Sequence, residues 1–413
     1  MKGFATKAIH GGIRKKDVHG ALRTPIYDNV AFEFATSRSL QLAFEGKALG
    51  HSYTRISNPT VEDFEERMRL LTDATGVVAV SPGMAAIANV ILVLAEAGSN
   101  IVSSRYLFGN TYSLFEHTMK PWGLEVRYAD MTKTETLKRN INEKTRAIFL
   151  ETITNPQMEV ADIAQIAKLA ATANIPVILD GTLTTPYLFK SKDFGVAVEV
   201  ISSTKYISGG ATTVGGLIID NGNQDWSRCP KLREAARQYG PFALIALLRR
   251  EAYRNLGSCL SPHNAYLQTL GLETLGLRIE KSCANALAIA HFLETRPEAR
   301  SINYPGLASS PGHETAARQF GNRFGSILTF ELADKDTCFR FMDSLSLVRR
   351  ATNINDNKTL ILHPASTIFC EYTEEEKNRL GVPASMIRLA AGIEDAEDII
   401  DDLRAGLEGL EKA

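Results

Sequence analysis

An α/β fold, with a largely parallel sheet wrapped by helices and a smaller α+β domain after it, is what this sequence predicts, on three observations. Between about residues 61 and 201, short apolar runs alternate with stretches of helical period. Ser81, Asp180 and Lys205 fall at or just past the ends of such runs, and the carboxyl ends of parallel strands are where sites form in such sheets. From about Pro262 the character changes to long helices with short strands between them.

In chain order, residues 1–60 read as an arm, because Gly11-Gly12, Pro25 and Pro59 interrupt it and few segments are periodic. Val61 to Leu71 carries the helical period, Gly76 to Val80 reads as a strand, and Gly83 to Leu94 as a helix. Strands are predicted over Asn100 to Ser103, Leu124 to Tyr128, Ala147 to Leu150, Val177 to Leu179 and Val200 to Ile201, with helices such as Asp162 to Ala173 between them. In the C-terminal part, one long helix is expected over Ala265 to Leu293, short strands around Ser326 to Glu331, and a terminal helix over Ala396 to Leu410. The expected organisation is therefore an arm (1–60), a first domain (61–261) and a C-terminal domain (262–413).

Composition permits this: 413 residues, 44% of them hydrophobic, can bury a core large enough for two domains. A formal charge of −1 offers no electrostatic reason to expect nucleic acid or an anionic membrane as partner. The five cysteines, Cys229, Cys259, Cys283, Cys338 and Cys370, lack Cys-x-x-Cys spacing, so neither a disulfide framework nor a zinc site is suggested, and reduced thiols in a cytoplasmic protein are expected. Met1 to Lys7 has no apolar signal core, and the longest apolar stretch, near Ile87 to Ala95, is broken by Asn89 and too short to span a bilayer.

The most informative residue is Lys205, in Ser202-Ser203-Thr204-Lys205-Tyr206, after the apolar run Val196 to Ile201. An isolated lysine after a strand is ordinarily a surface charge. An amine held at a strand end among hydroxyls is also placed to form a Schiff base with a carbonyl cofactor, since desolvation favours its neutral, nucleophilic form. Twenty-five residues upstream, Ile175 to Leu179 ends in Asp180. Pyridoxal 5'-phosphate (PLP) needs such a carboxylate to keep its pyridine nitrogen protonated, and Lys205 with Asp180 fits that pair. Ser81-Pro82-Gly83-Met84 adds a glycine at a helix start, a shape suited to a phosphate. The glycines of 209–216 do not follow the strand–glycine–helix order of a dinucleotide fingerprint.

With these residues in place, the chain resembles the PLP-dependent cysteine and methionine metabolism enzymes, from about Thr6 to its end. The resemblance is carried by Tyr53-Thr54-Arg55-Ile56-Ser57-Asn58-Pro59-Thr60, Ser81-Pro82-Gly83-Met84-Ala85-Ala86, Glu151-Thr152-Ile153-Thr154-Asn155-Pro156, Asp180-Gly181-Thr182, the Lys205 segment, Leu270 to Leu275, His363 to Thr367 and Ile387 to Asp395. It implies an aminotransferase type I-like fold with a seven-stranded type of sheet, residues 61–261 binding PLP, and a homotetramer built from dimers with shared active sites. The Gly83 and Met84 amides with Ser202 and Thr204 would hold the phosphate, joined by Tyr53 and Arg55 from the neighbouring subunit. Asn155 would contact the phenolic oxygen of PLP, Phe108 would stack on the ring, and Arg388 would clamp the substrate α-carboxylate as a bidentate fork.

Three departures from the family pattern stand out. Pro82 replaces a small residue, although proline suits a first helical turn. Phe108 takes the place of a ring-stacking tyrosine in Phe108-Gly109-Asn110-Thr111, so proton transfer falls to Lys205, the Tyr53 phenol or water. Asn353-Ile354-Asn355-Asp356 replaces Ser-Leu-Gly-Asp; Asn355 tolerates the left-handed turn, while the carboxylate-side contact of Asn353 is put in doubt. The stretch Asn221 to Leu260 resembles an insertion of O-acetylhomoserine sulfhydrylases. The resemblance thus implies γ-replacement on a homoserine ester by a sulfur nucleophile, in methionine biosynthesis. A cystathionine γ-synthase, an O-succinylhomoserine sulfhydrylase or a methionine γ-lyase-type elimination is the alternative.

Overall fold

The structure, a computed structural model, describes residues 3–12 and 17–410. Met1, Lys2 and residues 13–16 of the expected arm lie outside the described residues, as do 411–413. Seven strands form the central sheet: β1 (Gly76–Val80), β2 (Asn100–Ser104), β3 (Glu125–Ala129), β4 (Thr145–Glu151), β5 (Val177–Asp180), β6 (Val198–Ile201) and β7 (Gly216–Asp220), in the order β1-β7-β6-β5-β4-β2-β3. β7 is antiparallel to both of its neighbours, and the other pairings are parallel.

Period-two alternation sends successive side chains of each strand to opposite faces, and helices cover both. Val78, Val80, Phe149, Ile178 and Val200 pack against Ala86, Ile87, Val90 and Ile91 of the helix Gly83–Leu94. On the other face Val77, Ala79, Leu217 and Ile219 meet Phe64, Met68 and Leu71 of the helix Pro59–Thr72. That helix starts where Asn58 accepts the Thr60 amide hydrogen and Pro59 supplies a preset first turn. Burial on both faces explains why these strands read as continuous apolar runs.

β7 went unassigned in the sequence because the glycine-rich run before it reads as a loop. The arm also departs from expectation, since it contains the helices Phe4–His10 and Ser37–Phe44. The single long helix expected over Ala265 to Leu293 is two, Pro262–Glu273 and Leu275–Glu294, with Thr274 between them. Gly271 lets the first helix pack directly on backbone, since a Cβ there would lie 2.1 Å from the Ile207 carbonyl oxygen.

A smaller C-terminal sheet joins β8 (Arg300–Asn303), β9 (Ile327–Glu331), β10 (Arg349–Arg350), β11 (Leu360–Leu362) and β12 (Met386–Ala390), ordered β10-β11-β12-β9-β8. Arg388 lies in its middle strand, opposite Thr329 on one side and Leu362 on the other. Among the described residues no helix is long and apolar enough to cross a membrane.

Candidate active site

A cavity of about 240 Å³ opens beyond the carboxyl ends of the parallel strands, where β4, β5 and β6 meet the start of the helix Gly83–Leu94. Gly83, Met84, Phe108, Asn155, Asp180, Ser202, Thr204, Lys205 and Arg388 all line it. Asn353 enters through Lys205, whose Nζ donates to Asn353 Oδ1 at 2.7 Å; the Asn353 amide in turn donates to Asp356 Oδ2 at 3.1 Å. Tyr53 and Arg55 are not among the lining residues. Tyr53 is 40% exposed, and Arg55 lies over its ring and donates to the Arg254 carbonyl at 2.7 Å.

The end of the cavity at the helix Gly83–Leu94 is built from backbone. No side chain caps the helix Gly83–Leu94, so its first-turn amides face the cavity end of the fold with the positive end of the helix dipole. A Cβ on Gly83 would lie 2.6 Å from Ser202 Cβ, so only glycine allows this approach of helix start to strand end. Ser202 is fixed by its amide, which donates to Thr182 Oγ1 at 2.8 Å. The Thr204 hydroxyl donates to the Gly215 carbonyl at 3.1 Å and accepts the Gly215 amide hydrogen at 3.0 Å.

Charge is unbalanced at the other end. Arg388 is 2% exposed and donates to Asn155 Oδ1 and to the Thr352 and Asn353 carbonyls, each at 3.2 Å. Its Nε has no partner, and among the described residues it forms no ion pair. Burial pulls its pKa down to about 9. Burial, with the Arg388 charge adding to it, also lowers Lys205 to about 8, which puts a useful fraction of neutral amine near physiological pH.

Two carboxyls stand side by side, since Glu151 and Asp180 are directly paired across β4 and β5. Burial raises both, and the Asp180 charge raises Glu151 further. Asp180 accepts the Thr182 amide hydrogen at 2.9 Å. Sequence reasoning passed over Glu151, together with Thr111, Thr182, Thr352 and Ile354 of the lining. The signal for Glu151 was present: an acid closing an apolar run, four residues before Asn155.

These residues fit PLP by their chemistry. An uncapped helix start with hydroxyls beside it suits a phosphate, a lowered lysine suits a carbonyl, and two crowded buried carboxyls suit a protonated ring nitrogen. The fold and the cavity are those of a PLP-dependent enzyme. The chain belongs to the Cys/Met metabolism PLP-dependent enzyme family, whose model matches residues 5–408. It is similar to the L-methionine gamma-lyase of Pseudomonas putida, at 35% identity over 98% of each chain. A solved chain from Campylobacter jejuni, described as a candidate O-acetylhomoserine (thiol)-lyase with N'-pyridoxyl-lysine-5'-monophosphate at its position 205, superposes with a TM-score of 0.94. The two share 34% identity over 98% of this chain and 100% of that one. The O-acetylhomoserine sulfhydrylase of Wolinella succinogenes is 47% identical over 86% of this chain and 99% of its own, with a TM-score of 0.78.

Proposed function

We propose that this enzyme is an O-acetyl-L-homoserine sulfhydrylase, replacing acetate on Cγ with a sulfur nucleophile to give L-homocysteine. The observation that carries the reading is Phe108 at the ring-stacking position, in a lining to which this chain itself contributes one amine and one guanidinium but no phenol. Acetate leaves without acid help, and an acetyl group is uncharged, so neither a phenolic proton nor a second cation is required. The similarity to the sulfhydrylase from Wolinella succinogenes supports the same reading.

When bound, PLP supplies the electron sink that acidifies the substrate Cα and Cβ protons. Asp180 would keep its ring nitrogen protonated, Asn155 would meet its phenolic oxygen, and Phe108 would stack on the ring. The Gly83 and Met84 amides, Ser202 and Thr204 would hold its phosphate. Lys205 would hold the cofactor covalently at rest; as a free amine its Nζ would take the α-proton and carry a β-proton, with Asn353 orienting it. Arg388 grips the α-carboxylate, oriented by Asn155. The Cγ–O bond breaks with its electron pair going to acetate; the Cγ–S bond forms with the pair of a thiolate, and the protons lent to Lys205 return to carbon.

The test is a steady-state comparison of O-acetyl-, O-succinyl- and O-phosphohomoserine with sulfide. Homocysteine from the acetyl ester in excess over 2-oxobutanoate is the expected result. Preference for the succinyl ester, or 2-oxobutanoate as main product, would defeat the assignment.

Phe108 provides a second check. Phe108→Leu should weaken PLP retention, because stacking contributes about 0.5–1.5 kcal/mol beyond area burial. Phe108→Tyr should keep the cofactor and raise elimination relative to replacement by restoring a proton donor at the leaving group. Efficient methanethiol release from methionine by the unmodified enzyme would instead favour a γ-lyase, the activity named for its Pseudomonas putida relative.

Tyr53 and Arg55, outside the cavity of their own chain, are assigned to the phosphate site of a second subunit in a homotetramer built from dimers. Mixing Arg55→Ala chains with Lys205→Ala chains should then restore activity in hybrid dimers, which form one intact site. Verified hybrids without recovered turnover would count against sharing.

A further inference from the structure

We infer that Glu151 is the positioning residue of this site, one carboxyl that fixes the Phe108 and Asn155 main chains together and thereby sets both the ring-stacking side chain and the orientation of Arg388. This deepens the proposed site and rests on the reading of the cavity as the place where PLP binds.

The argument begins at the end of β4. Glu151 is its last residue and is 7% exposed, on the same sheet face as Phe149 and so toward the helix Gly83–Leu94. One carboxyl oxygen, Oε1, accepts the Phe108 amide hydrogen at 2.6 Å, and the other, Oε2, accepts that of Asn155 at 3.2 Å. Phe108 precedes the short helix Gly109–Ser113 and Asn155 follows β4, so two loops from different strands end on a single side chain. Asn155 passes the constraint on, because its Oδ1 accepts from Arg388. A buried carboxyl beside another carboxyl is costly to keep, and a role only in filling space would be served by leucine or methionine. Two well-placed main-chain donors are what an apolar residue could not satisfy.

Glu199 provides the internal control. It is also a fully buried acid, two strands over on β6, but it pairs with Leu179 on the opposite sheet face. There Glu199 Oε2 accepts the Ser191 hydroxyl hydrogen at 2.5 Å, and Glu199 is not among the cavity-lining residues. A generic penalty for altering a buried carboxyl should therefore appear equally in Glu199→Gln and Glu151→Gln.

The experiment uses full-length Glu151→Gln, Glu199→Gln and Lys205→Ala chains beside the wild type. For each, the PLP dissociation constant of the cofactor-free protein, the induced circular dichroism of the bound cofactor and the melting temperature are measured. In Glu151→Gln the amide nitrogen must face one of the two main-chain donors, leaving it unsatisfied. The PLP dissociation constant should rise about tenfold or more, the induced dichroism should change in intensity as the ring loses its fixed seat, and KM for the amino-acid substrate should rise more than kcat falls. Glu199→Gln should lower the melting temperature while leaving the PLP constant and the dichroism at wild-type values. Wild-type PLP affinity and dichroism in Glu151→Gln, or equal losses in Glu199→Gln, would overturn the inference. A Lys205→Ala chain that retains the lysine-bound absorbance would instead overturn the reading of the site itself, so the two failures are distinguishable. Should Glu151→Gln not fold, Glu151→Asp, which keeps the charge and shortens the reach, gives the same comparison with a smaller loss.

Discussion

Lys205→Ala is expected to abolish turnover, lowering kcat by on the order of 10³ or more, because in the proposed mechanism one amine carries both the covalent link to PLP and the proton transfers at Cα and Cβ. The yellow lysine-bound absorbance should vanish while the chain stays soluble, since Lys205 contributes no apolar contact to the core clusters. Substantial homocysteine formation by this variant would remove Lys205 from its role. The lowered pKa adds a pH signature. Capture of PLP by the cofactor-free chain requires the neutral amine, so its rate should rise with pH and level off above about 8, rather than continue toward the ordinary lysine value. The stability counterpart runs in the same window. An unfolded chain binds a proton at Lys205 that the folded chain has released, so below about pH 8 the fold bears the cost of a buried charge, and that cost fades as pH rises through the window toward the unfolded value. Replacing Lys205 with methionine should therefore raise the melting temperature of the cofactor-free protein at neutral pH, with the gain shrinking in alkali.

Arg388→Ala is the next largest expected effect. Removing one partner of a buried, hydrogen-bonded charge pair costs about 2–5 kcal/mol, so kcat/KM should fall by roughly 30-fold to several thousand-fold, mostly through KM. Arg388→Lys should recover little of this, because an ammonium cannot reproduce the two-pronged grip of the guanidinium on a carboxylate. The ligand-free protein distinguishes recognition from scaffolding. Arg388 is buried with its Nε unpartnered, and burial holds its pKa down, so its charge is a burden on the fold until an anion arrives. Arg388→Met should for that reason melt within a few degrees of the wild type while losing substrate affinity. A large drop in stability with KM unchanged would make Arg388 a structural residue.

Much of the site was legible because its chemistry is local. Lys205 follows a strand among hydroxyls, Asp180 closes a strand, and Gly83 opens a helix after Ser81-Pro82, so residue type and position in the element already restrict what each can do. Phe108 was legible as a missing phenol only through the resemblance to the family, whose pattern has a tyrosine there. The strands that were missed were hidden by composition. Gly216 to Asp220 follows a glycine-rich run that reads as a loop, and it becomes β7 by pairing antiparallel with β1 and β6. The break at Thr274 was invisible because the helical period runs through it.

Taken by itself, the chain pointed to Lys205, Asp180 and Gly83 as candidates and to the ends of the elements at which they stand, because turn chemistry, period and strand-end position act over a few residues. Tertiary structure alone decided their partners. Glu151 lies beside Asp180 only through the β4–β5 register, and Arg388 reaches Asn155 across 233 residues of sequence. The same packing decided the charges: an ordinary lysine and an ordinary arginine become a lowered amine and an uncompensated guanidinium when water is removed around them. Register and desolvation are both properties of surfaces brought together from distant parts of the chain, and no local pattern encodes them.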